Sequence, residues 1–184
     1  KLGSTSDGRS IVHRVLVIGC SGSGKSTVAC ELARITGLPA VHLDQHYWRP
    51  DWTEPDKALW AAEIASLVAQ PRWIMDANYS AILAARLSRA DTVVFLDMPT
   101  TLCLWRVLCR TLRHLGRMRD DMAKGCLERF DWPFLKYVYS YRRDRRPQVL
   151  KALDGFTGTV VILGNPSAVA GFLTGMRQER LTAA

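Results

Sequence analysis

The sequence predicts a three-layer α/β fold, a five-stranded parallel sheet with helices on both faces, and three observations predict it. Five short apolar runs (13–19, 40–43, 72–75, 92–96 and 159–163) alternate with helix-like stretches, the pattern of strand–helix–strand crossovers. Polar residues stand at the ends of these runs, at Asp44, Asp76, Asp97 and Asn165, where a parallel sheet presents its carboxyl edge to a ligand. The first run passes directly into Gly19-Cys20-Ser21-Gly22-Ser23-Gly24-Lys25-Ser26, a complete G-x-x-x-x-G-K-[ST] loop, and then into a helical stretch. That context makes the expected architecture a P-loop NTPase fold.

Each element has its own signals. The run 13–19 is continuously apolar, as a strand covered on both faces must be. The helix 25–36 is closed by Gly37 and Pro39. The second strand, 40–43, stops at Asp44, and an aromatic, Pro-bearing loop follows at 45–52. Thr53 with Asp56 three residues later reads as a capping box opening a helix to about Gln70, whose apolar stripe is Leu59, Ile64, Leu67 and Val68. The third strand, 72–75, leads to Asp76, a short helix is expected at 80–88, and the fourth strand is 92–96. A long helix at 100–115, a Gly- and Arg-bearing loop at 116–129 and a second long helix at 131–153 precede the last strand, 159–163, and a closing helix, 166–178.

At 184 residues the chain fits one domain, 11–184, with a helical Arg-rich lid at about 113–146, preceded by a polar stretch, 1–10, read as a flexible leader. Its 48% apolar and 23% charged residues are ordinary for a soluble protein. The most apolar stretch, 92–105, is interrupted by Asp97 and Pro99 and is too short to span a bilayer, so a cytoplasmic protein without a membrane partner is expected. Five cysteines, an odd number with no C-x-x-C pair, read as reduced thiols, most of them filling the core. The net charge of +8 is concentrated: between Trp105 and Arg146 twelve basic residues face five acidic ones. Such an excess implies a polyanionic partner, either nucleotide phosphates or a nucleic acid backbone.

The glycine-rich loop carries the clearest chemistry. Its glycines reach conformations closed to other residues, so backbone N–H groups converge on phosphate oxygens, and the helix N-terminus adds donors at the same point. Gly19, Ser21, Gly22, Ser23, Gly24, Lys25, Ser26 and Thr27 are therefore the expected ATP contacts, with Lys25 on the β/γ-phosphates and the Ser26 hydroxyl on Mg²⁺. Asp76, ending a strand expected beside the P-loop strand, is the Walker-B-like candidate for orienting Mg²⁺ through water. Asp44 has three readings: a base for an acceptor hydroxyl, a holder of a Mg²⁺-bound water, or a strand-end cap or partner of Arg49. Asp97 reads as a cap of the following helix.

Arg106, Arg110, Arg113 and Arg117 share one helix face, read either as a phosphate-facing lid or as a solvated basic face. Arg142, Arg143, Arg145 and Arg146 stand just before Pro147 on the returning helix, two of the four are expected to point back into the cleft, and Arg142 and Arg146 share a face. Tyr47, Trp48, Trp52, Trp60 and Tyr79 either stack on a nucleobase or pack among themselves. His42 has no second ligand at a metal spacing and receives no role.

Leu96-Asp97-Met98-Pro99, followed by Arg106 and Arg110 at seven and eleven residues past the proline, resembles the nucleoside-monophosphate kinase branch of P-loop proteins, as does Gly164-Asn165-Pro166 after the last strand. The resemblance implies that Arg106 packs on the adenine, Arg110 contacts phosphate, and the Asn165–Pro166 loop holds the adenine by backbone groups. More narrowly, the strings 42–52, 75–80 and 125–130 resemble bacterial "topology modulation" proteins, adenylate-kinase-related ATP-binding proteins whose name implies a link to DNA topology. The segment Asp76-Ala77-Asn78-Tyr79-Ser80 departs from the Asp-Gly-x-Pro-Arg of adenylate kinases, and the AMP-clamping domain is reduced to the aromatic loop before Thr53.

These readings combine into an expectation. The chain is a Mg²⁺/ATP-dependent kinase acting on a nucleotide, nucleoside or hydroxyl metabolite. Lys25, Asp44, Arg110, Arg142 and Arg146 serve catalysis, and Asp44, Arg49, Asp76, Asn78 and Tyr79 bind the acceptor. The rivals are a nucleic-acid-associated ATPase or regulator of DNA topology with weak or no kinase activity, and a nucleotide-binding interaction module. ATP against GTP, and monomer against homodimer, stay open.

Overall fold

Val15 and Val17 pack on one face of the first strand, Leu16 and Ile18 on the other, and all four are at most 3% exposed. A strand sealed on both sides has to be central, and it is. In the computed structural model, which describes residues 12–76, 79, 82–119 and 122–183, β1 (Arg14–Gly19) lies in the middle of a five-stranded sheet with β2 (Ala40–His42), β3 (Trp73–Asp76), β4 (Thr92–Leu96) and β5 (Thr159–Leu163). The order is β2-β3-β1-β4-β5 and every pairing is parallel. The predicted sheet is therefore present, and β3 does lie beside β1, with Asp76 in register with Val17.

The period-2 alternation sorts the helices into two layers. Val15 and Val17 share a core with α1 (Lys25–Thr36), α5 (Thr100–His114), α6 (Trp132–Asp144) and α8 (Pro166–Ala183). Leu16 and Ile18 share the other with α2 (Leu43–Tyr47), α3 (Lys57–Ala69), α4 (Leu83–Leu87) and α7 (Arg146–Asp154). Each such fully buried aliphatic side chain contributes about 1.5–3 kcal/mol of transfer free energy. The carboxyl ends of all five strands open on one edge, and the connections there build the site.

Four elements differ from the sequence reading. The second strand ends at His42, and Leu43, with no exposure, starts a short helix instead of closing the strand. The cap of α3 is Asp56, whose carboxylate accepts from the Ala58 and Leu59 amides at 2.8 and 3.1 Å. Pro55 keeps Glu54 out of the helical region, so no helix turn can begin at Thr53. The expected single helix 131–153 is two, α6 and α7, divided at Arg145 (φ −109°). Pro147 has no N–H to donate and its ring collides with the carbonyl four residues back, so the helix cannot run through. Finally, α8 extends five residues past Gln178, to Ala183.

Among the described residues no helix is long and apolar enough to cross a membrane. The segment 1–10 lies outside the described residues.

Candidate active site

The loop between β1 and α1 has the backbone a phosphate cradle requires. Gly19, Gly22 and Gly24 have φ of +149°, +81° and +99°. At Gly19 an added Cβ would lie 2.6 Å from the Leu96 carbonyl, and at Gly22 it would run into the Cys103 carbonyl. The loop is thus wedged between β4 and α5, and glycine is required both for the dihedrals and for the space. Asp56 and Asp131 cap α3 and α6 with their side chains, whereas α1 starts at Lys25 without a side-chain cap and with no acid in its first turn. Its first N–H groups and positive dipole end are left for an anion. Lys25 Nζ reaches back over the loop to donate to the Cys20 carbonyl at 3.1 Å.

Arg106 lies beside this loop, its Nη1 donating to the Ser23 carbonyl at 3.2 Å. Asn165 uses its side chain locally: Oδ1 accepts from the Ala168 amide at 2.8 Å and caps α8, which begins at Pro166.

A cleft of about 650 Å³ opens at the strand ends and is lined by Ser21, Lys25, Asp44, Tyr79, Arg110 and Arg119 among others. Asp44 accepts a hydrogen bond from Tyr79 Oη at 2.7 Å. Water reaches this carboxylate through the cleft mouth, but protein surrounds it. Enclosure raises its pKa above the usual carboxylate range, against the opposing pull of the Tyr79 hydrogen bond and the Lys25 charge, while the charge of Asp76 adds to the rise. Asp76 is 5% exposed and shares a 2.9 Å hydrogen bond with His42 Nδ1, and His42 Nε2 lies 3.5 Å from Cys30 Sγ. The Asp76 carboxylate, oriented by an imidazole at the end of β3, and the Ser26 hydroxyl, in the first turn of α1, are each hard oxygen donors of the type Mg²⁺ takes. Asn78 lies outside the described residues.

Opposite Asp44 the lid supplies cations held by one carboxylate. Glu128, 6% exposed, accepts from Arg119 Nη1 at 2.8 Å and from the Thr111 hydroxyl at 2.8 Å, with Arg110 Nε at 3.9 Å. Burial alone would raise its pKa. The Arg119 hydrogen bond, the Arg110 charge and the Thr111 hydroxyl outweigh burial and hold the carboxyl below the usual range.

The lid is clasped to the aromatic loop. Trp52 Nε1 donates to the Leu127 carbonyl at 2.8 Å, Cys126 Sγ to the Arg49 carbonyl at 3.2 Å, and the Asp51 amide to the Gly125 carbonyl at 3.2 Å. Arg129 lies 6.0 Å from the Trp52 ring. Asp51 and Trp52 both have φ of +59°, an uncommon conformation for these residues that the clasp sustains. The aromatics pack as one cluster, with Tyr47 touching Trp48, Trp60 and Tyr79 at centroid distances of 5.0, 5.1 and 4.5 Å. Tyr47, Trp48, Trp52 and Tyr79 also line the cleft.

Several expected residues stand elsewhere. Asp97 does not cap α5, whose N-cap is Pro99. Its carboxylate receives a forked pair of bonds from Arg146, Nε at 2.8 Å and Nη2 at 2.7 Å, with Arg142 Nη2 farther off at 3.8 Å. Arg49 donates to the His46 carbonyl at 2.7 Å and to Glu63 at 3.4 Å, outside the cleft lining. The lining arginine of the returning helix is Arg145, one of the four before Pro147, and neither Arg142 nor Arg146 lines the cleft.

No family model matches the sequence, and no curated protein matches it either. Solved structures do. A shikimate kinase from Acinetobacter baumannii in complex with shikimate is similar over 94% of this chain and 94% of its own, at 18% identity and a TM-score of 0.57. A gluconokinase from Sinorhizobium meliloti 1021 is similar over 96% and 95%, at 18% identity and a TM-score of 0.55. The fold is a P-loop kinase fold. A shikimate kinase from Bacteroides thetaiotaomicron, at 14% identity, 91% and 98% coverage and a TM-score of 0.56, matches in the same way.

His42, Glu128 and Arg119 are residues at this site that sequence reasoning missed. Pro147 was the available signal for choosing Arg145 among the four arginines before it. The three missed residues become visible only when strands and lid are folded together, because their partners lie 34, 17 or 9 residues away.

Proposed function

We propose that this protein is an ATP-dependent phosphotransferase that moves the γ-phosphoryl group of Mg-ATP to a hydroxyl of a small acceptor. One observation carries the reading: a single cleft is lined together by Lys25 of the phosphate loop, a carboxylate (Asp44), and two lid arginines (Arg110 and Arg119). Phosphoryl transfer asks for positioning and charge neutralisation more than for covalent chemistry, and these are the groups it uses.

In this scheme the backbone of 19–27 and Lys25 hold the triphosphate, and the adenine lies near Arg106 and the Asn165–Pro166 loop. The acceptor hydroxyl sits at Asp44. As its oxygen bonds to the γ-phosphorus and the bond to the ADP oxygen breaks, its proton passes to the Asp44 carboxylate. The raised pKa of Asp44 makes it a better proton acceptor than an ordinary aspartate. Tyr79 fixes the orientation of that carboxylate, and Arg110 and Arg119 balance charge on the transferring group. Ser26 and Asp76 would hold Mg²⁺, which neutralises charge on the phosphate oxygens. Arg142 and Arg146, paired toward Asp97, act as supports of the lid hinge rather than as contacts of the phosphate.

The solved neighbours named as shikimate kinases and a gluconokinase support a small-molecule acceptor. The strings 42–52, 75–80 and 125–130 support placing the chain beside the topology modulation proteins within this fold. The test is Mg-ATP turnover followed by ADP release against a panel of nucleotides, nucleosides and hydroxyl metabolites, with duplex DNA and Lys25→Ala as controls. Acceptor-dependent turnover lost in Lys25→Ala is the expected result; turnover raised only by DNA would replace it with the nucleic-acid ATPase reading.

A further inference from the structure

Of the cysteines, Cys20, Cys103 and Cys126 are buried, Cys109 is half-buried and Cys30 is exposed. The Cys30 sulfur lies 3.5 Å from His42 Nε2, within the reach of a sulfur hydrogen bond, and His42 Nδ1 lies 2.9 Å from Asp76 Oδ1. The line runs inward from solvent, with side-chain exposure falling to 15% at His42 and 6% at Asp76. None of the three residues lines the P-loop cleft.

The fold assembles this line from three elements. His42 ends β2, the edge strand, in register with Asp76 at the end of β3. Residues in register on neighbouring strands point to one side of the sheet, so ring and carboxylate meet. That side is the one α1 covers: Ile74, two residues before Asp76 on the same strand face, shares a core with Val28, Ala29 and Leu32 of α1. Cys30, between them in the helix, reaches the ring from the solvent side.

The Asp76 carboxylate accepts the Nδ1 proton, which fixes the tautomer and leaves Nε2 as the acceptor of the Cys30 thiol. A nucleophile, a base within hydrogen-bond reach and a third group orienting that base are together the arrangement that activates a thiol. Activation matters because only a few per cent of an ordinary thiol is ionised at neutral pH, and the thiolate is what reacts.

We propose that Cys30 is a covalent modification site, a surface thiol activated by His42 and Asp76 for exchange with low-molecular-weight disulfides. The Cys30 sulfur bonds to one sulfur of the disulfide, the S–S bond of the reagent breaks, and its second sulfur leaves with the electron pair of that bond. The thiol proton passes to Nε2 and from there to the leaving sulfur. The products are a mixed disulfide on Cys30 and one small thiol, and the reagent is itself the oxidant. Exposure selects this class, since a small disulfide reaches Cys30 from solvent while Cys20, Cys103 and Cys126 lie out of its reach. The site stands independently of the phosphotransfer reading, because exchange needs neither nucleotide nor the cleft.

The probe is oxidised glutathione, added to the reduced full chain at neutral pH with EDTA present, so that no divalent cation sits on Asp76. Adduct formation is followed by intact-mass spectrometry and located by peptide mapping. One glutathionyl group on Cys30 is expected, absent in Cys30→Ser and removed by dithiothreitol. Its rate of formation should exceed that of an unstructured cysteine peptide about five- to tenfold, the larger thiolate fraction being partly offset by lower nucleophilicity. His42→Ala should bring the rate down to that of the peptide. Asp76→Asn, which leaves the sulfur untouched, should lower it about threefold by withdrawing the charge that steadies the protonated ring. Merely loosening the fold would expose thiols and speed their modification, so a fall in rate separates loss of activation from loss of structure. If a variant fails to fold by circular dichroism, the wild-type rate against the peptide decides. A wild-type rate no higher than that of the peptide overturns the proposal. So does first modification at another cysteine, or a Cys30 rate that either folded variant leaves unchanged or raises.

Discussion

Replacing Glu128 by Gln keeps the shape of the lid's central acceptor and removes its charge. In the folded lid the Glu128 and Arg119 side chains are only 6% and 8% exposed and 2.8 Å apart. Breaking a buried ion pair by deleting one partner costs about 3–5 kcal/mol, because the other charge stays buried without compensation. Glutamine can still accept from the Thr111 hydroxyl, and Arg110 is partly solvated, so the lower end, about 3 kcal/mol, applies. At ~2–4 °C per kcal/mol for a chain of this size, Glu128→Gln should lower Tm by about 6–12 °C. Calorimetry at pH 7 measures it. The loss should persist in 1 M NaCl, because a buried pair is barely screened.

The pH dependence gives an independent check. The folded-state pKa of Glu128 lies below its unfolded value, about 4.3. Its contribution is therefore complete above the unfolded pKa and disappears as pH falls through the folded one. Glutamine does not titrate. The Tm gap between wild type and variant should thus close as pH is lowered below about 4. A loss smaller than ~2 °C at pH 7, which is no more than about 1 kcal/mol at this size, or a gap that persists in acid would refute the argument that this carboxylate holds the lid arginines.

Further outcomes follow from the cleft and the loop. Asp44→Asn should lower kcat by about 10²–10⁴ while ATP affinity, read by fluorescent-nucleotide titration, stays within about threefold. The raised pKa of Asp44 should appear in the wild-type pH–rate profile as an acid limb above the ordinary aspartate range, since turnover needs the deprotonated form. Tyr79→Phe removes a hydrogen bond that lowers this pKa and should move the limb to still higher pH. Gly22→Ala, strained at φ +81° and colliding with the Cys103 carbonyl, should weaken nucleotide binding at least about tenfold in the same titration.

How far the sequence carried depends on whether a feature is local. The parallel sheet and its two helix layers were legible because consecutive residues such as Val15 and Leu16, which face opposite sides of the strand, are both apolar, which only a strand covered on both faces needs. The phosphate loop was legible because its glycines, lysine and serine are contiguous. Element boundaries failed where proline acts at a distance: Pro55 moved the cap from Thr53 to Asp56, and Pro147 split the returning helix and turned Arg145, rather than Arg142 and Arg146, to the cleft wall. Partnerships across the fold were not legible. Asp97 read as a cap because helix starts favour aspartate, but Arg146, 49 residues away, binds it in a fork that no local pattern announces.

The arginine-rich segment shows why charge counts underdetermine a partner. Twelve basic residues between Trp105 and Arg146 suggested either nucleotide phosphates or a nucleic acid backbone. A long backbone is bound by cations that face outward and release counterions on contact. Here Arg110, Arg119, Arg129 and Arg145 line the cleft, Arg106 bonds the phosphate loop and Arg146 is forked onto Asp97. Half of the positive charges that raised the nucleic-acid reading are therefore directed to the cleft or held inside the fold. Of the remaining half, Arg143 is already bonded to Asp144 at 2.6 Å. An anion of the size of a nucleoside triphosphate meets the cleft-lining arginines together only by entering the cleft, and a duplex lying on the surface would not. The distribution of the charge, more than its sum, favours a small phosphate-bearing substrate.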